Sequence, residues 1–344
     1  MLCTDFIMNR GSILMKNIIA VVDSGVDKEN CIRKDKITID SQYNGYKVNR
    51  SFHGTLCASI IQGINEEIDI YSVAILDKNE RTNYKKLQEV LEYLKNIDVK
   101  IINLSMATVN NASQRALEKV CDSLVEQGKI IVAAVDNLQG IGYPASLKNV
   151  IGVKGLRTMC QNEFWYNMEY TIQCACDMSP VLVPVDDTFT VFAGTSKAAA
   201  IISAKVSQII NVNGDLDYKA VQKILVKQAT ENIWNDEHRY LDSKTRPSFS
   251  YIQYDSKKEE LCKIVFALSD VIGYKLTVDQ IIAQNDNLLR YGLNCDNGCK
   301  FLSALESVFD FKINKPVQYY RLLNIGAVLG LIEEVENEKL EKAV

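Results

Sequence analysis

The chain has 344 residues, of which 47% are hydrophobic and 24% are charged, and its formal net charge is −4. This length is enough for one large domain and one small one. Nucleic-acid-binding proteins usually carry a basic surface, and no apolar run here reaches the roughly 18 residues of a membrane span. We therefore expect neither a nucleic acid nor a membrane as a partner.

The first 16 residues mix charged and polar side chains and lack the apolar segment of a secretory signal. The sequence therefore predicts a cytoplasmic protein whose ten cysteines are reduced thiols. Cys174 with Cys176, and Cys295 with Cys299, are spaced closely enough to suggest a metal. Neither pair has a neighbouring histidine or the second pair typical of a zinc site. We expect no metal and no other cofactor.

Strand-like and helix-like segments alternate along the first part of the chain. Strands are predicted at residues 17–22, 68–76, 99–104, 129–135 and 150–153. Helices are predicted from His53, at residues 84–95 and 112–127, and from Ser196. This alternation predicts an α/β fold, with a parallel sheet flanked by helices on both faces. The carboxyl ends of the strands would share one edge, where Asp23, Ser105 and Asn137 should meet.

Three short polar motifs stand where these elements begin or end. Asp23 opens Asp-Ser-Gly after the first strand, His53 opens His-Gly-Thr at the start of a helix, and Ser196 closes Gly-Thr-Ser before an apolar helix. Each motif alone also fits an ordinary turn or helix cap. The other histidine, His238, lies in a polar stretch that indicates surface.

Taken in this order, the three motifs resemble the signatures of the subtilisin-like serine peptidases. Residues 101–105 resemble the family's substrate-binding strand, and residues 133–137 resemble the stretch that carries its oxyanion-hole asparagine. Tyr143-Pro144-Ala145 and residues 176–180 also keep the register. The resemblance covers about residues 17–230, and so many stretches in the correct order make it specific.

The resemblance implies a serine endopeptidase with Ser196 as the nucleophile, His53 as the general base and Asp23 as the group that orients the imidazole. A serine hydroxyl needs such a base because it is a poor nucleophile near neutral pH. The side chain of Asn137 and the backbone N–H of Ser196 would hold the oxyanion. The residues implied to form the substrate pocket are Ser105, Met106, Ala107, Ala133, Ala134 and Asp136.

Several residues depart from the family's usual pattern. Lys197 stands where the family has Met, and Ala107 and Asp136 stand where it has Gly. If the carboxylate of Asp136 faces the pocket, it would favour Lys or Arg before the cleaved bond. The alternative is that Asp136 points to solvent or caps the following turn. The short segment before Asp23 leaves no room for the family's usual propeptide, so we expect a compact intracellular member with a dedicated substrate.

The pattern divides the chain into a tail at residues 1–16, a peptidase domain at 17–245, a linker at 246–256 and a helical domain at 257–344. Helices predicted at residues 259–272, 300–309 and 319–335 would form a small all-α bundle. Residues 291–295 and 301–306 of this bundle resemble an acyl or peptidyl carrier protein. Asn294-Cys295 stands where carriers have the Asp-Ser that receives phosphopantetheine, and a thiol cannot form that phosphodiester. An unrelated helical appendage is the alternative.

We expect an endopeptidase that acts on a peptide or protein substrate. Fusion to a carrier-like domain suggests maturation of a ribosomally made peptide by leader removal, with a partner or the precursor docking on the C-terminal domain. General intracellular proteolysis, a non-catalytic peptide-binding module and a carrier-associated scaffold are the alternatives. The retained Asp, His, Ser and Asn argue against the binding module, and the missing carrier serine argues against the scaffold.

Overall fold

The computed structural model describes residues 17–44, 52–77, 79, 81–108, 114–137, 142–157, 163–234, 257–283 and 287–341. The predicted tail and linker, and His238, lie outside the described residues. Within the described ranges, no helix combines the length and apolar character needed to cross a bilayer.

Strands and helices follow each other closely in the first 230 residues. Among the described residues after that point, the elements are helices and one short strand. The strands β1 to β11 are Ile18–Asp23, Ile37–Ile39, Asp69–Ala74, Ile101–Leu104, Ile130–Ala134, Ile151–Leu156, Phe164–Tyr166, Cys174–Asp177, Val181–Val185, Thr188–Phe192 and Val317–Gln318. The helices α1 to α9 are His53–Ile64, Tyr84–Leu94, Gln114–Glu126, Thr195–Asn213, Tyr218–Gln228, Lys258–Ile272, Val278–Ala283, Cys295–Phe309 and Ile325–Glu341.

The main sheet has the strand order β2-β3-β1-β4-β5-β6-β8-β7. Its pairs are parallel, except that β7 runs antiparallel to β8. β4 and β5 are buried along their whole length, which explains their uninterrupted apolar sequences. Because β1, β4 and β5 are parallel neighbours, their carboxyl ends lie on one edge of the sheet.

Two hydrophobic cores lie on opposite faces of this sheet. Residues of α1, α4 and α5 form one core with the strands, and residues of α2 and α3 form the other. The α4 helix is apolar around nearly its whole circumference because it is buried from Thr195 through Ala204. The predicted α/β fold, with a parallel sheet covered by helices on both faces, is confirmed.

The C-terminal unit is helical as predicted, but its elements begin at different residues. The α8 helix starts five residues before the predicted boundary, because the side chain of Asn294 accepts the N–H groups of Asp296 and Asn297. The segment predicted as one helix from residue 319 is a 3-10 turn followed by α9. Asn324 caps α9 by accepting the N–H of Gly326 at 2.8 Å.

A small second sheet, with strand order β10-β9-β11, joins the two parts of the chain. Alternate residues of β9 face different cores: Val181 and Val183 pack in the core with α4, while Leu182 packs with the C-terminal helices. β11 comes from the C-terminal unit and pairs antiparallel with β9. The sequence did not predict this hairpin, although β10 leads directly to Ser196.

Leu182 provides a test of this connection, because its fully buried side chain belongs to the C-terminal core while its strand belongs to the peptidase body. Leu182→Ala should lower the free energy of unfolding by about 2–5 kcal/mol, since a buried cavity replaces the side chain. The measurement is denaturant unfolding followed by circular dichroism.

Val191 is the matched control, because it lies opposite Leu182 on β10 and is 40% exposed. Val191→Ala should change the free energy of unfolding by less than about 1 kcal/mol. Equal effects of the two substitutions would contradict the packing of Leu182 in the core of the C-terminal helices.

Candidate active site

Asp23 ends β1 and is completely buried. Its carboxylate accepts the N–H of Ser24 at 2.7 Å and lies 2.8 and 2.9 Å from Nδ1 of His53. The start of α1 comes close enough for this contact because residue 54 is glycine: a Cβ there would lie 2.4 Å from the carbonyl oxygen of Gly25. The N–H of Gly54 also donates to the hydroxyl of Ser24 at 3.1 Å.

His53 is the first residue of α1, and its side chain is 22% exposed. A carboxylate can only accept hydrogen bonds, so the contact with Asp23 assigns the proton to Nδ1. Nε2 is then the nitrogen that can accept a proton from a nucleophile. The ring packs edge-on against Phe192, with 5.6 Å between the ring centroids.

Ser196 is the second residue of α4, in a turn that begins with Gly194 at a φ of 98°. This left-handed conformation favours glycine. The Ser196 hydroxyl donates to the backbone oxygen of Ser105 at 3.3 Å, and the Ser105 hydroxyl donates to the backbone oxygen of Ser196 at 3.4 Å. The start of α4 is therefore held against the residue that follows β4.

Asn137 lies three residues beyond β5 and contacts the same turn through Thr195. Its amide oxygen accepts the backbone N–H of Thr195 at 3.0 Å. The Thr195 hydroxyl lies 3.0 Å from the same oxygen and 2.9 Å from the backbone oxygen of Val135. These contacts fix the amide oxygen towards Thr195 and leave the NH₂ group as the donor that Asn137 offers to a ligand.

The residues implied to form the substrate pocket fall on two adjacent segments. Ser105, Met106 and Ala107 follow β4, and Asp136 follows β5, where it is half-buried. The side chains of Ala133 and Ala134 pack into the cores on opposite faces of the sheet. Any contact of these two alanines with a substrate would therefore come from the backbone.

Cys57, which the sequence analysis did not single out, lies one helical turn beyond His53 and is fully buried. Its thiol lies 3.3 Å from the hydroxyl of Ser105. Burial, and secondarily the charge of Asp23, raise the pKa of the Cys57 thiol well above its ordinary value. The possible ligand atoms of Asp23, His53 and Cys57 lie within 4.8 Å of one another. A metal ion there would have to displace the contact between Asp23 and His53.

Lys197 and Asp177 form a second buried pair that the sequence did not reveal. Neither side chain is exposed, and Nζ of Lys197 lies 2.6 Å from Oδ2 of Asp177. Burial lowers the pKa of the Lys197 ammonium, while the neighbouring carboxylate opposes that shift. A lysine directly after Ser196 in an apolar helix was the available signal, but its partner lies 20 residues away in sequence.

Comparisons with known proteins identify the family of this α/β fold. A comparison with known families matches residues 16–249 to the subtilase family, peptidase S8, so the chain belongs to that family. The match ends before the C-terminal helices, and the resemblance of that unit to a carrier protein stays a prediction.

Among curated proteins, the chain is 24% identical over 212 residues to subtilisin NAT of Bacillus subtilis subsp. natto, covering 56% of this chain and 55% of that protein. It is 27% identical over 161 residues to subtilisin E of Bacillus subtilis strain 168, covering 42% of each. The chain thus spans about half the length of these relatives or less.

The solved structures support the fold. A cold-adapted subtilisin-like serine proteinase aligns with a TM-score of 0.55 and 15% identity, over 63% of this chain and 84% of that one. Sphericase aligns with a TM-score of 0.52 and 19% identity, over 62% and 83%. At these identities the similarity is one of fold.

The contacts of Thr195 predict that its hydroxyl helps to orient the amide of Asn137. Thr195→Val should lower kcat for peptide hydrolysis about five- to tenfold, since one neutral hydrogen bond contributes about 1 kcal/mol. Thr195→Ser keeps the hydroxyl and should stay within about twofold of the wild type. Equal kcat values for the two variants would show that the hydroxyl does not orient the amide.

Proposed function

We propose that the chain is a serine endopeptidase that uses Asp23, His53 and Ser196 as its catalytic triad. The observation that carries the proposal is the contact of the buried Asp23 carboxylate with Nδ1 of His53, whose ring packs against Phe192, four residues before Ser196. Membership of the subtilase family supports the same reaction.

In the proposed reaction, Oγ of Ser196 attacks the carbonyl carbon of the peptide bond while Nε2 of His53 takes its proton. Asp23 holds the imidazole in the required tautomer and stabilises the imidazolium that forms. Because the Ser196 hydroxyl points to the backbone oxygen of Ser105 in the resting protein, it must turn away from that oxygen to reach Nε2. His53 then gives its proton to the leaving amine, and water releases the acyl group by the same steps.

The NH₂ group of Asn137 and the backbone N–H of Ser196 would stabilise the negative oxygen of the tetrahedral intermediate. Two features of the site support this role. The amide oxygen of Asn137 is held by Thr195, and Ser196 lies in the first turn of α4, where N–H groups point out of the helix. The positive end of the helix dipole adds to the attraction.

The substrate of this endopeptidase is proposed to be a dedicated peptide or protein. Removal of a leader from a ribosomally made peptide, a cytoplasmic location and docking on the C-terminal unit stay predictions from the sequence. The C-terminal unit packs against the β9–β10 hairpin, which precedes Ser196, and this packing supports a role for the unit in catalysis or substrate binding. Mass spectrometry of the products from a candidate precursor would distinguish leader removal from general proteolysis.

Ser196→Ala should abolish cleavage of a peptide substrate, with a loss in kcat of about 10⁶-fold, a magnitude taken from a subtilisin. The variant should remain folded, because only one 3.3 Å hydrogen bond is removed, worth about 1 kcal/mol. Peptide cleavage by the purified variant and its thermal unfolding are the two measurements.

Labelling by a fluorophosphonate tests the base separately from the nucleophile. His53→Ala should prevent labelling, whereas His238→Ala, which changes the other histidine of the chain, should be labelled like the wild type. Cleavage by Ser196→Ala at a rate near that of the wild type would rule out the proposed nucleophile.

Asp136 generates a prediction about specificity. If its carboxylate faces the bound residue before the cleaved bond, peptides with Lys or Arg there should have the highest kcat/KM and a peptide with Glu the lowest. Asp136→Gly should reduce the advantage of Lys over Leu about tenfold, as expected for loss of a charge-assisted hydrogen bond. Cleavage of the Leu peptide as well as the Lys peptide by the wild type, with no change in the variant, would contradict this orientation.

A further inference from the structure

The residue after Ser196 is a lysine whose ammonium group has no exposure to solvent. Three oxygens surround Nζ of Lys197: Oδ2 of Asp177 at 2.6 Å, the backbone oxygen of Ser179 at 2.6 Å and Oε1 of Gln318 at 3.2 Å. An ammonium group has three protons, so these oxygens match its donors in number. A buried charge requires such partners, and the loss of one leaves a proton unpaired in an apolar region.

Two of the three acceptors lie where β8 leads into the β9–β10 hairpin, because Asp177 ends β8 and Ser179 lies between β8 and β9. Oδ1 of Asp177 accepts the N–H of Ser179 at 3.0 Å, which ties the two acceptors to each other. The backbone oxygen of Met178, between them, accepts the N–H of Gly194 at 3.0 Å. Residues 177–179 are thereby bonded to both sides of Ser196, through Gly194 before it and Lys197 after it.

The third acceptor comes from the C-terminal unit, 121 residues further along the chain. β11 carries Gln318 into place by pairing with β9, with Gln318 opposite Val181. The N–H of Tyr319 also donates to the backbone oxygen of Pro180 at 3.1 Å. The residues on both sides of Gln318 are therefore held in place: Val317 pairs with Leu182, and Tyr319 bonds to Pro180. These contacts fix the backbone from which the Gln318 side chain reaches Lys197.

We propose that Gln318 is a positioning residue for the nucleophile, so that the C-terminal unit completes the active site of the peptidase domain. Its amide oxygen holds Lys197, and Lys197 holds the first turn of α4, which carries the hydroxyl and the backbone N–H of Ser196. The C-terminal unit is then a requirement for full turnover. This role rests on the proposed peptidase function.

The amide nitrogen of Gln318 allows a sharp test, because it is buried without a hydrogen-bond partner among the described residues. Gln318→Met has a similar volume and removes both the acceptor and this unpaired donor. If Gln318 served only for packing, the substitution would be harmless or stabilising. If Gln318 positions Lys197, the same substitution impairs catalysis in a folded protein.

The experiment compares the full-length wild type, Gln318→Met and Gln318→Glu in steady-state cleavage of one peptide and in the rate of fluorophosphonate labelling. Gln318→Met should lower kcat and the labelling rate about tenfold or more, as small displacements of reacting groups do. KM should stay within about twofold, because Gln318 lies on β11 and acts through Lys197, whereas the implied pocket residues follow β4 and β5. Gln318→Glu keeps an acceptor oxygen and should restore kcat to within about threefold of the wild type.

Thermal unfolding of each variant establishes that a folded protein is compared. If Gln318→Met does not fold, Gln318→Asn, which withdraws the acceptor by one methylene group, is measured in the same way. Labelling and turnover of the substituted protein at the wild-type rate would overturn the role of Gln318 while leaving the peptidase function intact. A folded wild type that neither labels nor cleaves would overturn the peptidase function, and the role of Gln318 with it.

Discussion

The contact between the buried carboxylate of Asp23 and Nδ1 of His53 is the constraint on which the site depends. A carboxylate without exposure to water is unfavourable unless hydrogen bonds compensate it. Here the compensation comes from the N–H of Ser24 and from the imidazole. Both hydrogen bonds constrain the fold. β1 must end at Asp23 in the buried interior, and α1 must begin against the turn that follows β1. The glycine at position 54 permits that approach, and the orientation of His53 follows from it.

The other side of the site depends on what holds the start of α4. Ser105 contacts Ser196, and Asn137 contacts Thr195. Residues 177–179, at the end of β8 and after it, contact Gly194 and Lys197. The C-terminal unit enters the same arrangement through β11, and its core includes Leu182 of the hairpin that leads to Ser196. The two parts predicted as separate domains therefore share a sheet beside the turn that carries Ser196. This packing gives the helical unit a structural connection to the site whether or not it binds a further partner.

The sequence predicted the sheet, and it singled out Asp23, His53 and Ser196, because the signal for each was local. Uninterrupted apolar runs marked the buried strands, and Asp23, His53 and Ser196 each stood in a short motif where an element begins or ends. Contacts between distant residues had no such signal: the side chain of Lys197 gave no indication that its partners were Asp177 and Gln318. α8 begins five residues before its predicted start because Asn294 caps it, whereas Asn294 was interpreted only as part of the carrier-like motif. Ala133 and Ala134 lie in opposite cores because side chains alternate along a strand, a pattern that the sequence shows but the family resemblance does not convey.

The most direct test of the catalytic arrangement is a crystal structure of the full-length protein after reaction with a fluorophosphonate. We expect a covalent bond from Oγ of Ser196 to phosphorus. The phosphonyl oxygen should lie within hydrogen-bond distance of Nδ2 of Asn137 and the backbone N–H of Ser196. An adduct on another residue would contradict Ser196 as the nucleophile, and a phosphonyl oxygen turned away from Asn137 would contradict the proposed oxyanion site.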